Sequence, residues 1–240
     1  MEIGILGYGE VGKAVASFYK NPFIKDIDRD KFIGRDKTIG FDFLHVCIPY
    51  TKNFIRIVLE NSKYLNLSGM MIIHSTVPIG TTEKVYKKFP HVAHSPVRGT
   101  HPNISEGIRT FVKYIGVEHE ADGLYIKRHF DTLGIQSKII LGSRNTEALK
   151  LWSTTQYGLS IILEKEMYKW CKENGVNYEV VYQDESKTYN QGFRECGANL
   201  YQRPILKHME GKVGGHCVIN NCNLFDCDIT KFILEKNKEY

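Results

Sequence analysis

Short apolar runs alternate with polar stretches of helical period along the first part of the chain, the signature of a layered α/β domain. Ile3-Gly4-Ile5-Leu6 is an apolar run that stops at a glycine, as a buried parallel strand does, and Gly12 to Tyr19 reads as the helix after it. Phe23 to Ile27, Phe41 to Pro49, Met70 to His74, His91 to His94 and Phe111 to Val117 read as further strands. Asn53 to Leu65 has helical period, and Thr81 or Thr82 is placed to cap a helix with Glu83 in its first turn. Strands separated by helices predict a parallel sheet covered on both faces.

The pattern changes after about residue 140. Thr146 to Asn174 is one proline-free helical stretch whose interior glycine is Gly158. Leu149, Trp152, Leu159, Ile162, Met167 and Trp170 recur at helical spacing, and Gly175 is placed as a C-cap. Val176 to Tyr189 predicts another short helix, residues 190–215 read as loop, and Asp228 to Asn237 predicts a last helix. The expected fold class is α/β. An N-terminal Rossmann-type doubly wound sheet over 1–143 is followed by a smaller α-helical domain over 144–240 with one long helix, for dimerisation or substrate contact.

Composition narrows the function. The 240 residues are 42% hydrophobic and 25% charged, enough for a real core, and the formal charge of +5 suits a small anionic ligand. The basic residues are scattered, so no nucleic-acid-binding arm is expected. No apolar run approaches a membrane span, and Met1-Glu2-Ile3 enters a strand at once, so neither membrane nor leader is expected. Six cysteines then read as reduced thiols in the cytoplasm.

The candidate chemistry begins at Gly7-Tyr8-Gly9-Glu10-Val11-Gly12, a Gly-x-Gly-x-x-Gly between strand and helix. Gly7 permits the tight turn, Gly9 admits a pyrophosphate to the backbone, and Gly12 allows helix to pack on strand. The helix N-terminus offers unpaired N–H groups and a positive dipole to the phosphates. Asp26 or Asp28 stands where a carboxylate would accept from ribose hydroxyls and repel a 2′-phosphate, favouring NAD over NADP. Arg35 is the residue that could meet a 2′-phosphate. Flavin, or a glycine turn without any dinucleotide, are the other readings of the motif.

Further segments, in order, resemble those of the NAD-dependent UDP-glucose, UDP-N-acetylmannosamine and GDP-mannose 6-dehydrogenases. Val46-Cys47-Ile48-Pro49 looks like their strand entering the nicotinamide side. His74-Ser75-Thr76-Val77-Pro78-Ile79-Gly80-Thr81-Thr82 is close to their Ser-Thr-Val-Pro-x-Gly-Thr-Thr loop. His94-Ser95-Pro96-Val97-Arg98 resembles their Pro-Glu-Arg segment, and Glu147-Ala148-Leu149-Lys150-Leu151 opens a long helix as their Glu-x-x-Lys-Leu does. Val213-Gly214-Gly215-His216-Cys217 looks like the Gly-Gly-His-Cys around their nucleophile.

The resemblance implies an NAD-dependent oxidoreductase acting on a sugar or nucleotide-sugar alcohol. Ile48, Pro49 and Thr76 would border the cofactor, Thr76 would hold a water, Lys150 would stabilise an alkoxide-like oxygen, and Cys217 would be the nucleophile. Such a thiolate attacks an aldehyde, the thiohemiacetal gives up a hydride, and water hydrolyses the thioester. Read without the resemblance, Cys217 is a small buried apolar residue, Lys150 a solvated helix residue, Thr76 a strand-end cap and His216 a packing residue. Cys217, Cys222 and Cys227 with His216 lack a Cys-x-x-Cys pair, so no metal is expected.

The departures are specific. The family's aspartate four residues after the nucleophile is Asn221, its lysine near the nucleophile is Asn220, its helix asparagine is Thr154 and its Pro-Glu-Arg glutamate is Val97. Glu106 is the candidate replacement carboxylate. The chain stops at Tyr240, before the family's second Rossmann-like domain, which implies a truncated member. Two alternatives therefore stand beside the first reading: a single-step alcohol dehydrogenase or reductase, and a catalytically silent NAD-binding module. A homodimer packed through helix 146–174 is expected from its large apolar residues.

Overall fold

The computed structural model describes residues 1–28, 30, 40–99, 102–215 and 217–240. It divides into two compact units, Met1–Lys150 and Leu151–Tyr240.

The first unit is built on a seven-stranded sheet of order β2-β1-β3-β4-β5-β6-β7. The strands are β1 Ile3–Leu6, β2 Phe23–Lys25, β3 Phe41–Val46, β4 Leu67–Ile73, β5 Val92–His94, β6 Lys113–Val117 and β7 Ser137–Leu141. Period-two alternation sends their side chains into two cores. Ile3, Ile5, Phe43, Met70 and Ile72 pack on one face with Val15, Ile108, Ile126 and Phe130. Leu6, Leu44, Val46, Met71 and Ile73 pack on the other with Phe54, Val58 and Val85. Helices α1 Glu10–Ala16, α4 Ile104–Thr110 and α5 Glu120–Thr132 thus cover the first face, and α2 Phe54–Tyr64 and α3 Thr81–Tyr86 the second.

The sheet is not wholly parallel. β6 meets β5 antiparallel through the single pair His94↔Gly116, and β7 then runs parallel to β6. This reversal brings the start of β6 to the edge where β1, β3, β4 and β5 end. β1 lies between β2 and β3, parallel to both, so strand order reverses at β1 and opens a crevice beyond its carboxyl end.

Helix α6 (Ser143–Glu173) begins in the first unit and continues through the second. In the second unit a π-helical turn, Glu179–Asp184, runs into α7 (Glu185–Glu195), followed by the short α8 (Val218–Cys222) and α9 (Asp228–Lys236). Ile162, Val213, Val218, Cys222 and Ile233 form its main core. Gly158 is a notch in α6: a Cβ there would stand 2.5 Å from Val218 Cγ1, so only glycine lets α8 seat so closely. The interval 190–215, expected as loop, holds the end of α7 and a 3-10 turn at Asn199–Tyr201. None of the six cysteines is in a disulfide. Among the described residues no helix is long and apolar enough to cross a membrane.

Candidate dinucleotide crevice and its polar floor

The glycine turn sits between β1 and α1. Gly7 has φ +93°, and a Cβ there would lie 2.8 Å from Ile48 Cγ2 and 3.0 Å from the Ile48 nitrogen. Gly12 faces Gly7 even more closely, since a Cβ would stand 2.0 Å from the Gly7 carbonyl oxygen. Gly9, the N-cap of α1, has nothing within 4 Å of the same position. Two glycines are therefore required by the fold, and Gly9 leaves the mouth of the turn open beside the first amides of α1. That open cradle fits a diphosphate. Tyr8 and Val11 pack partly on the first core, and Glu10 lies in the first turn of α1.

Asp26 follows β2 and does more than the sequence indicates. Its Oδ2 accepts the Tyr8 N–H at 2.5 Å and its Oδ1 accepts the Asp28 N–H at 3.0 Å. It braces the glycine turn from the end of the neighbouring strand. Arg35 and His216 lie outside the described residues.

The ends of β3 and β4 complete the crevice. The Ser75 hydroxyl donates to the Ile48 carbonyl at 2.6 Å, fastening the loop that carries the half-buried Thr76 to the exposed Pro49 corner. Lys150 donates from Nζ to the Val97 carbonyl at 2.9 Å. Val97 is 7% exposed and packs among Ile104 and Ile108, so the family's glutamate position is part of the apolar core. Glu106 is exposed on α4 and accepts from Thr110 Oγ1 at 3.2 Å. Cys217 immediately precedes α8 in the second unit, where Asn221 Nδ2 lies 3.1 Å from Thr154 Oγ1.

A row of buried polar groups underlies the crevice, and sequence reasoning missed it. His74 Nδ1 lies 2.9 Å from the Ser95 carbonyl and must donate there. Its Nε2 then accepts from His45 Nδ1 at 2.8 Å. His45 Nε2 accepts in turn from the Tyr19 hydroxyl at 2.8 Å, and that oxygen accepts from His129 Nε2 at 2.8 Å. Neutral rings thus allow one assignment of protons along the row. Burial holds His45 and His74 well below the usual imidazole range, and takes His129 down to about 4.

His94, at the end of β5, bridges Thr146 Oγ1 and the Ser75 carbonyl, and burial takes it down to about 3. Lys113, at the start of β6, donates from Nζ to the Ser95 and Pro96 carbonyls at 2.8 and 3.3 Å. Burial brings this amine down to about 7 and pushes the nearby Cys47 thiol up to about 12. Cys47 packs partly against the first core. His45 lies on β3, His74 directly after β4 and His94 at the end of β5, far apart in sequence. Among the described residues no group of His, Cys, Asp or Glu is placed to hold a metal ion.

Comparison with known proteins agrees with this architecture. No family model matches the chain. It is 29% identical over 173 residues to a UDP-N-acetyl-D-mannosamine dehydrogenase of Methanocaldococcus jannaschii, covering 69% of this chain and 37% of that protein. A similar match, 29% over 159 residues, is found to the enzyme of the same name from Methanococcus vannielii, covering 65% of this chain and 34% of that one. The matched region thus spans little more than a third of these curated relatives. Among solved structures, UDP-D-ManNAc dehydrogenase from Pyrococcus horikoshii superposes with a TM-score of 0.80 at 18% identity, over 100% of this chain and 68% of that one. UDP-glucose dehydrogenase from Pyrobaculum islandicum gives 0.75 at 14% identity, over 99% and 68%. A 3-hydroxyisobutyrate dehydrogenase from Mycobacterium tuberculosis gives 0.68 at 13% identity, over 99% and 92%. The doubly wound fold is shared with all three.

Proposed function

We propose that this chain is an NAD-dependent oxidoreductase acting on the alcohol of a sugar or nucleotide-sugar. The observation that carries the reading is the open Gly9 cradle at the strand-order reversal, with Asp26 at the end of the neighbouring strand. The sequence likeness to nucleotide-sugar dehydrogenases supplies the substrate class.

In this reading Gly7, Tyr8, Gly9, Glu10, Val11 and Gly12 form the diphosphate turn. Asp26 and Asp28 select the adenosine ribose, and their charge favours NAD over its 2′-phosphate. Ile48, Pro49 and Thr76 border the nicotinamide end. Bound there, the nicotinamide supplies hydride acceptance. Lys150 holds an alkoxide-like oxygen, Thr76 holds a water, Glu106 on α4 is the candidate carboxylate, and Cys217 provides the thiol for an acyl step. The protein works in the cytoplasm as a homodimer joined through α6, whose exposed Trp152, Leu163 and Trp170 await a partner surface.

The test is reduced-nicotinamide absorbance with a panel of UDP- and GDP-sugars, beside calorimetric NAD binding. NAD binding with turnover of at least one sugar is expected. Tight NAD binding with no turnover at high enzyme would instead establish a silent binding module, and no NAD binding would remove both readings.

A one-step alcohol oxidation is the second reading, favoured by the uncharged Asn221–Thr154 pair where a carboxylate would activate water. Cys217→Ser separates the two: hydride transfer to one equivalent survives in a one-step enzyme, and the acid product disappears in a two-step one.

A further inference from the structure

Glu147 is a carboxylate that neither the sequence motifs nor the proposed chemistry assigns to a task. It is wholly buried on the first part of α6, three residues before Lys150. Its Oε2 accepts the Gly80 N–H at 2.5 Å and its Oε1 accepts the Thr82 N–H at 2.7 Å. These are amides at the start of α3, which has no side-chain cap of its own. Gly80 there has φ +86°, a conformation that turns the loop sharply into the helix. Neighbouring Arg144 pairs with Glu83 at 3.2 Å; burial raises the Glu147 carboxyl, and the Thr82 and Gly80 amides with the Thr82 side chain oppose that shift.

The loop is fastened at its other end as well. Ser75 Oγ holds the Ile48 carbonyl at 2.6 Å, and Val77 is fully buried in the second core. Thr76 lies between the two anchors. One anchor belongs to the end of β3, the other to the helix that bears Lys150.

We propose that Glu147 is a positioning residue: it ties the Thr76 loop to the Lys150 helix, so that the two groups keep one mutual geometry during hydride transfer. The roles of Thr76 and Lys150 rest on the dehydrogenase reading above; the anchoring itself does not. A misplacement of about 1 Å in such a pair costs on the order of a hundredfold in rate.

The test uses Glu147→Gln, which keeps shape but presents an amide donor to one of the two N–H groups. Expected are NAD affinity and KM within about twofold of the parent, kcat lower by roughly tenfold or more, and amide exchange at Gly80 and Thr82 faster by at least about tenfold. If this variant does not fold, Gly80→Ala disturbs the same junction through its positive φ, and the same split between kcat and NAD affinity is expected. A kcat and exchange rate within twofold of the parent overturn the proposal, as does a kcat loss that only tracks loss of folded protein. A parent protein without turnover removes the dehydrogenase reading, while amide exchange still decides whether Glu147 anchors the loop.

Discussion

Asn221 on α8 donates from Nδ2 to the hydroxyl oxygen of Thr154 on α6 at 3.1 Å, and that hydroxyl donates onward to the Leu151 carbonyl at 3.0 Å. These are two of the positions at which the sequence differs from the motifs it resembles, and here they form one complementary pair. Asn221 is only 6% exposed, so each partner removed leaves a buried polar group behind. Asn221→Ala, Thr154→Ala and the double variant should show a coupling of about 0.5–1.5 kcal/mol in urea unfolding. Additive losses would mean that the pair is incidental.

Gly9 and Gly12 of the turn should fail in different ways. Gly12→Ala drives a methyl into the Gly7 carbonyl, with 2.0 Å between them, and should lower stability by more than about 2 kcal/mol together with NAD binding. Gly9→Ala meets no atom within 4 Å and should leave thermal unfolding unchanged. Its methyl would occupy the place proposed for the diphosphate, so calorimetry should show NAD affinity reduced at least about tenfold. Unchanged affinity in Gly9→Ala would place the dinucleotide elsewhere.

Lys113 gives the protein an unusual alkaline stability slope. Burial sets its folded pKa at about 7, against 10.5 for an ordinary lysine. Between those values the unfolded chain binds the extra proton, so stability rises with pH across this window and is lost as pH falls toward 7. The difference between the parent and Lys113→Met, measured by urea unfolding from pH 7 to 10, should move in the parent's favour by up to ~1.4 kcal/mol per pH unit. A difference flat in pH would show the amine to be charged throughout.

Leu163 and Trp170 are 60% and 56% exposed and share one stripe of α6 with Trp152 at 48%. If α6 joins the proposed dimer, Leu163→Glu or Trp170→Glu should give a monomer by light scattering, with folding intact by circular dichroism. A parent protein that is monomeric at micromolar concentration would remove the homodimer from the proposal.

Much of this architecture is legible from residue pattern. β1, the glycine turn, β3 and β4 were marked by apolar runs ending at Gly7, Pro49 and the Ser75 loop, and α6 by its long unbroken period. Helix α5 escaped because its buried face is Gly123, Ile126, His129 and Phe130, two of which do not read as apolar. β7 is an edge strand with no fully buried residue and carries no hydrophobic signature, while the helix expected over 176–189 is found as the π-helical turn and α7, which runs on to Glu195. Short α4 has only seven residues, too few to show a helical period. The histidine floor was illegible for a related reason. Its residues interact across strands distant in sequence, so no local period announces them.

That floor has a bearing on where a released proton can travel. Three imidazoles and a phenol in line resemble a conductor, yet the row ends on the Ser95 carbonyl, which has no proton to give and no way to pass one on. Every hydrogen along it points the same way, and reversing them would strand a lone pair against that oxygen. The row therefore relays no proton toward Ser95, and in the proposed oxidation the proton released from the alcohol would leave by another route.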